Sequence, residues 1–169
     1  GMDVTQFAIE KEVRLNGKGR FVIRNDHIAC WSGHSIPGVI GPAVIVPTEQ
    51  VPEVLCHGTY HRPSEKIEKE GLRALTRAIH FQNPMDGFDR WRKDLEIYYD
   101  VATREASAAG IVFKLTGNGV WLSGDVPPKH FLGKRDVKDA YPEAGYGKVP
   151  RARLRKSPKL ENICQCAEL

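Results

Sequence analysis

The chain has no hydrophobic run that approaches the roughly 18 apolar residues needed to span a membrane, and no secretory signal pattern opens it. Its four cysteines, Cys30, Cys56, Cys164 and Cys166, are neither dense nor spaced like a disulfide framework. Cys164 and Cys166 could together hold a soft metal ion, but because no second Cys or His pair lies near them, we favour the interpretation as two thiols of the tail. These absences predict an intracellular protein in a reducing compartment, with no membrane partner.

What the sequence does contain is the composition of an ordinary globular protein. Its 169 residues are 41% hydrophobic and 27% charged, which suits one domain, or one domain with a small appendage. The net charge of +4 permits an anionic partner without requiring one. Gly1 before Met2 resembles the remnant of an expression tag.

From about Lys134 the composition becomes basic, with prolines and little apolar periodicity. This stretch is either a solvated tail or an arm for an anionic polymer. In the second case, Arg151, Arg153 and Arg155 would contact a nucleic acid.

Short strands separated by turn residues dominate the pattern. RFVIR (20–24) and HIACW (27–31) flank Asn25-Asp26, which predicts a hairpin. Further strands are predicted at 43–47, 53–58, 78–82, 94–101, 110–115 and 120–124, and short helices at 63–70 and 103–110. Since strands outnumber short helices, an α+β fold fits better than a doubly wound α/β fold.

His57-Gly58-Thr59 ends one of these predicted strands. A glycine there leaves room for a ligand to approach the main chain. The neighbouring His57 and Thr59 side chains supply hydrogen bonds to hydroxyl groups such as those of a ribose. The alternative is a buried His57 whose hydrogen bond is satisfied within the sheet.

The segment CHGTYHRPSEKIEKEGLRALTRAIHF (56–81) resembles the NAD-binding lobe of the RNA 2′-phosphotransferases, which remove a splice-junction 2′-phosphate from tRNA. The resemblance continues in order through LEIYYDVATREASAAGIVFKLTGNGVWLSGDVPPKHF (95–131). Upstream, KGRFVIRNDHIACWSGHSI (18–36) is similar to the wing of the family's winged-helix lobe.

The resemblance implies a split antiparallel β core of the ADP-ribosyltransferase type, which binds NAD as a substrate, with a truncated winged-helix-like wing in front. It divides the chain into a tag scar and lead-in (1–17), a remnant of the winged-helix-like lobe (18–50), the NAD-binding lobe (51–133) and a basic tail (134–169). We expect a monomer that needs no metal.

The resemblance also assigns candidate residues. The cofactor-binding set that it implies is His57, Gly58, Thr59, Ile67, Gly71, Leu72, His80, Gly119 and Val120. Many protein-modifying relatives have a catalytic Glu where this chain has Val120. Because a phosphate is already an anion at neutral pH, it needs no general base, so Val120 suits a phosphate acceptor.

An anionic acceptor instead needs cations that hold it beside the reacting carbon. Arg77, His34 and His80 are the candidate catalytic residues, with Arg77 as the phosphate clamp. For Arg77 the alternative is a surface ion pair, and for His34 it is a hydrogen bond within its own turn. The loop 83–93, with Phe88 and Trp91, is predicted to close over the cofactor.

The chain departs from the family pattern in its N-terminal part. No Arg-His pair precedes the wing, and Ala29 stands where the family has an arginine. Three hypotheses follow: an NAD-dependent transferase acting on a phosphate acceptor, a degenerate member that binds NAD, ADP-ribose or RNA without catalysis, and a protein mono-ADP-ribosyltransferase. The absence of a Glu at Val120 disfavours the third.

Overall fold

The computed structural model describes residues 5–17, 19–31, 42–75, 78–86 and 94–137. Within them lie three α-helices: α1 (Gln6–Leu15), α2 (Ser64–Glu70) and α3 (Thr103–Ala108). The strands of the described residues are β1 (Phe21–Arg24), β2 (His27–Cys30), β3 (Ala43–Ile45), β4 (Val54–Thr59), β5 (Ile79–Phe81), β6 (Ile97–Ala102), β7 (Phe113–Thr116), β8 (Trp121–Ser123) and β9 (Phe131–Asp136). This α+β composition confirms the predicted class.

Every strand pairing in this part of the chain is antiparallel. Strands β1 and β2 form a separate hairpin, β3-β7-β8-β5 form one sheet, and β4-β6-β9 form another. The two larger sheets meet where Cys56 and Gln82 exchange two main-chain hydrogen bonds of 2.9 Å. This bridge places the end of β4 beside β5.

The main core lies against the inner face of the four-stranded sheet. Phe81, Phe113 and Trp121 are fully buried there, together with Leu55 of β4. The alternation of buried and accessible residues along β7 and β8 follows from the period of two that a strand imposes. The short β5 therefore carries Phe81 into the core and leaves His80 exposed.

The predicted β1–β2 hairpin is confirmed in detail. Asn25 and Asp26 have φ values of 49° and 61°. Two positive φ angles in a two-residue turn are the geometry that Asn and Asp tolerate and that matches the strand twist. The register then pairs Val22 with Ala29 and Arg24 with His27.

Two elements were not predicted. Helix α1 lies within the stretch 1–17 that we interpreted as lead-in; Thr5 caps it by accepting a hydrogen bond from the Ala8 amide. Strand β9 crosses the boundary placed between residues 133 and 134, since Lys134 and Arg135 pair with Tyr99 and Tyr98 of β6. Its basic residues hide the strand pattern, because their side chains form ion pairs instead of an apolar face.

Candidate active site around His57

The imidazole of His57 is held by the neighbouring strand. Its Nδ1 lies 2.9 Å from the carbonyl oxygen of His80, and its ring makes an edge contact with Phe81 at 5.8 Å between centroids. The Cys56–Gln82 bridge, one residue away on β4, brings the two strands to this distance. His57 is thus linked to His80 through the main chain of β5.

This contact fixes the tautomer of the neutral ring. A carbonyl oxygen can only accept, so Nδ1 carries the hydrogen. Burial lowers the pKa of His57, opposed by the His80 carbonyl and reinforced by the charge of His80. The ring is therefore neutral at pH 7, with Nε2 as an acceptor that no other described residue engages.

Thr59 lies on the same face of β4 as His57, two residues further along. Its side chain is half-buried, and no hydrogen bond of its hydroxyl to another described residue is found. The end of β4 therefore presents an imidazole acceptor and a hydroxyl side by side, the pair of groups that the sequence interpretation assigned to a ribose.

Protein atoms surround the place where a side chain at Gly58 would begin. A Cβ at this position would lie 2.4 Å from Leu95 Cδ1 and 2.8 Å from Tyr98 Cε1. A side chain at this position would meet Tyr98 of β6 and Leu95, two residues before that strand, so protein fills the space on this side of Gly58. The assignment of Gly58 to NAD binding stays a prediction.

The residues of α2 and its C-terminal end that were assigned to NAD binding are held by main-chain hydrogen bonds and by packing against the core. The Gly71 amide donates to the Ile67 carbonyl at 2.8 Å, with Gly71 at φ 85° and ψ −178°. Leu72 is buried and exchanges two hydrogen bonds of 2.9 Å with Val126. Ile67 packs against the main core. Their assignment to the adenosine side of NAD stays a prediction.

Gly119 and Val120 lie in the tight turn between β7 and β8. The Val120 amide donates to Thr116 Oγ1, and the Thr116 amide donates to the Val120 carbonyl, each at 2.9 Å. Gly119 has φ 80°, which a glycine adopts at little cost. The indole of Trp31, which directly follows β2, lies against Gly117 in this turn, so the hairpin contacts the turn.

Two polar clusters beside His57 were missed from the sequence. On the face that His57 shares with Tyr99, Ser64 Oγ lies 2.9 Å from the Tyr99 hydroxyl, and Lys134 pairs with Glu68. Lys134 lowers the pKa of Glu68, while burial raises the pKa of Tyr99.

On the opposite face of the same sheet, the Cys56 thiol donates to Asp100 at 2.9 Å. Arg135 binds Asp100 through two nitrogens, at 2.6 and 2.7 Å. Burial, followed by the charge of Asp100, raises the pKa of Cys56 well above its usual value. The sequence predicted the strand that carries Tyr98, Tyr99 and Asp100, but it gave no sign that Lys134 and Arg135 lie on a strand beside it.

Several predicted residues fall outside the described part of the chain: Arg77, His34, Phe88, Trp91, Arg151, Arg153, Arg155, Cys164 and Cys166. Ala29 is described and lies exposed on β2. Among the described residues, no group of three or more His, Cys, Asp or Glu side chains is arranged to hold a metal ion. In the same ranges, every helix is too short or too polar to cross a membrane.

The family model and the related proteins that match this chain indicate the same family. The model of "RNA 2'-phosphotransferase, Tpt1 / KptA family" matches residues 1–125, which include α1. A "Probable RNA 2'-phosphotransferase" of Streptomyces coelicolor is 31% identical over 133 residues, covering 77% of this chain and 71% of the relative. A protein of the same name from Burkholderia pseudomallei is 30% identical over 135 residues, covering 77% and 71%. Another from Lacticaseibacillus paracasei is 32% identical over 116 residues, covering 66% and 60%.

Proposed function

Because this chain belongs to the RNA 2′-phosphotransferase family, we propose that it is an NAD-dependent enzyme that transfers ADP-ribose to a phosphate acceptor and releases nicotinamide. The acceptor is an RNA 2′-phosphate or a phosphorylated nucleic-acid end. In this proposal the two joined sheets are the split core of an ADP-ribosyltransferase, and α1 with the β1–β2 hairpin belongs to a winged-helix-like lobe.

The observation that supports the proposal best is the neutral His57 ring beside Thr59. With Nδ1 bound to the His80 carbonyl, Nε2 is left to accept a hydrogen bond from a ribose hydroxyl. A histidine that is half-buried and held on one side loses little freedom when it binds a ligand on the other side. NAD offers ribose hydroxyls that fit this acceptor.

The chemistry requires no general base from this chain. An oxygen of the acceptor phosphate forms a bond to C1″ of the nicotinamide ribose as the C1″–nitrogen bond breaks. The electron pair of the broken bond goes to the nicotinamide ring nitrogen, which loses its positive charge. Val120 stands where many protein-modifying relatives have a catalytic Glu, and an acceptor that is already an anion does not need that carboxylate.

The test is an NAD titration by calorimetry of the wild-type protein and His57→Asn. The Asn side-chain amide can still donate to the His80 carbonyl, while the Nε2 acceptor is removed. We expect NAD affinity to fall about 3- to 10-fold, the value of one hydrogen bond to a ligand hydroxyl. Nicotinamide release is then measured with RNA carrying a single 2′-phosphate and with the same RNA unmodified.

His61→Asn is the matched control, because His61 is exposed on the loop after β4 and its ring pairs with Asp136 at 3.5 Å. This variant should bind NAD like the wild type. Equal NAD affinity of His57→Asn and the wild type, or no nicotinamide release with any phosphorylated nucleic acid, contradicts the proposal.

A second candidate function is supported by Ala29. A member that binds NAD or RNA without turnover would explain why a hairpin position that carries arginine in the family pattern is alanine here. Specific NAD binding that is sensitive to His57→Asn, without nicotinamide release, would favour this second function.

A further inference from the structure

One face of the β1–β2 hairpin is basic. Side chains of residues that pair directly across an antiparallel ladder lie on the same face, so Arg24 shares a face with His27. Val22 and Ala29 lie one step along that face, and Trp31 follows at its end. The guanidinium carbon of Arg24 lies 5.4 Å from the centroid of the Trp31 ring, which confirms that the two side chains share this face.

Trp31 connects that face to the β7–β8 turn, which lies in the lobe proposed to bind NAD. Three atoms of its indole lie within 2.6 Å of the place where a Gly117 side chain would begin, so the ring packs directly on the Gly117 backbone. Gly117 belongs to the β7–β8 turn that also holds Gly119 and Val120. Arg24 therefore lies over the Trp31 ring, where the hairpin meets the turn that holds the predicted NAD-binding residues Gly119 and Val120.

The cation at this junction has no matching anion among the residues that the structure describes. The Arg24 side chain contacts the Trp31 ring, and no salt bridge joins it to any of the described carboxylates. The hairpin (19–31) contains one acidic residue, Asp26, in the turn. The nearby Arg20 adds a buried Nε without a hydrogen-bond partner.

His27 adds a further polar group to the same face. Its Nδ1 lies 2.7 Å from the Asn25 carbonyl, which can only accept, so Nδ1 donates and Nε2 is directed away from the turn. An aromatic ring under a guanidinium fixes the plane of its N–H groups, a geometry suited to a bidentate hydrogen bond with a phosphate.

We propose that Arg24, positioned by Trp31, binds the phosphate of the nucleic-acid acceptor. This inference rests on the proposed function and names a residue for it: Arg24 supplies, from the same hairpin face, a cation that Ala29 cannot supply. The ligand is a phosphomonoester on RNA, held between the hairpin and the β7–β8 turn.

The experiment measures RNA binding without NAD, so that it does not depend on turnover. Fluorescence anisotropy gives the dissociation constants of two otherwise identical oligoribonucleotides, one with a single internal 2′-phosphate. We expect the wild type to bind the phosphorylated RNA more tightly than the unmodified RNA, and Arg24→Gln to lose this preference. The affinity of Arg24→Gln for the phosphorylated RNA should fall about 10- to 100-fold, the value of one charge-assisted contact. The salt slope of log affinity should decrease by about 1.

Two variants separate this role from a general loss of charge. Arg24→Lys keeps the cation and should retain most of the preference. Arg14→Gln removes the same charge from α1, where Arg14 is exposed and pairs with Glu10 at 3.6 Å, and should keep the preference intact. Circular dichroism checks that all variants are folded.

Absence of a wild-type preference, an Arg24→Gln protein that keeps it, or an Arg14→Gln protein that loses it equally would overturn the inference. Failure of the proposed NAD chemistry would be seen separately, in the NAD titration and nicotinamide assay, and would leave this RNA result unchanged.

Discussion

At the scale of single residues, His57 shows how a strand position fixes a protonation state. Its Nδ1–H is used by the His80 carbonyl, and its environment disfavours a positive charge. A ring held in this way offers a single defined acceptor, Nε2, over the whole physiological pH range. This suits recognition of a neutral hydroxyl and not the binding of an anion, which supports assigning the phosphate to other residues.

The lowered pKa of His57 predicts how stability depends on pH. In the unfolded chain the ring gains a proton near pH 6.5, while in the folded protein it stays neutral to a lower pH. The unfolded state thus binds more protons between these two values, so stability is fully present above about pH 6.5 and falls as the pH drops towards the folded pKa. NMR of the ring nitrogens should show a midpoint below 6.5.

The control uses His57→Asn, which cannot titrate. Burial also lowers the pKa of His130, so part of the pH dependence will remain in the variant. Thermal melting between pH 5 and 8 should therefore give a smaller loss of stability towards acid in His57→Asn than in the wild type. An identical slope in both proteins, or a ring midpoint at or above 6.5, would show that the folded state does not disfavour the charge.

The contacts of Cys56 could not be predicted from the sequence. From the sequence it was one of four scattered cysteines. In the structure its thiol donates to Asp100, which lies 44 positions away, and Arg135, a further 35 positions along, holds that carboxylate with two hydrogen bonds. Composition can exclude a disulfide framework, but only the pairing of β4, β6 and β9 brings these three groups together.

At the scale of elements, Gly71 is the point where α2 must end. Its φ of 85° with ψ of −178° belongs to a region that only glycine adopts readily. A Cβ would also lie 2.4 Å from the Val126 carbonyl oxygen, which accepts the Leu72 amide. We expect Gly71→Ala to lower the free energy of unfolding by about 2–4 kcal/mol, from backbone strain together with the clash.

Gly110 provides the comparison for this substitution. It ends α3 with φ 96°, but no atom lies within 4 Å of the position of its missing Cβ. Gly110→Ala therefore measures backbone strain alone, about 1–2 kcal/mol. Urea denaturation of both variants gives the difference. A Gly71→Ala protein as stable as Gly110→Ala would mean that the turn after α2 relaxes away from Val126.

The elements themselves were predictable where local chemistry decides them. Asn25-Asp26 identifies its own turn, and Gly71 identifies its own helix end. Helix α1 carried a usable signal, since Thr5 is a good N-cap and Glu10 and Arg14 are spaced for an ion pair, but no residue of α1 is buried and its apolar pattern is weak. Strand β9 carried no signal, because half of its side chains are charged. They form ion pairs with residues of α2, β6 and the loop after β4.

At the scale of the whole molecule, two junctions organise the candidate site. The Cys56–Gln82 bridge joins the two larger sheets and sets His57 against β5. The packing of Trp31 on Gly117 sets the hairpin against the β7–β8 turn. The first junction supports the proposed NAD contact, and the second supports the proposed phosphate contact. The two kinds of binding should therefore be separable by mutation.

Gly117→Ala tests this separation. The new Cβ would lie 2.3 Å from the Trp31 ring, so the ring and the hairpin that carries it must shift, at a cost of about 1–3 kcal/mol for an overpacked contact. The His57 site is built from β4 and β5. The predicted NAD residues Gly119 and Val120 lie in the same turn as Gly117, but the hydrogen bonds between Thr116 and Val120 hold that turn while the hairpin moves. We expect NAD affinity within about twofold of wild type, a change below 0.5 kcal/mol, while the preference for 2′-phosphorylated RNA is lost as in Arg24→Gln.

Gly124→Ala is the matched control, since nothing lies within 4 Å of its missing Cβ and it directly follows β8. It should leave both affinities unchanged. If Gly117→Ala weakens NAD and RNA binding equally, the two junctions act as one unit and the hairpin shares in holding the cofactor. If it weakens only the RNA preference, the hairpin is a separate site for the acceptor. The neutral His57 then binds the hydroxyl groups of NAD, and the cationic Arg24 binds the phosphate of the RNA, as their charges require.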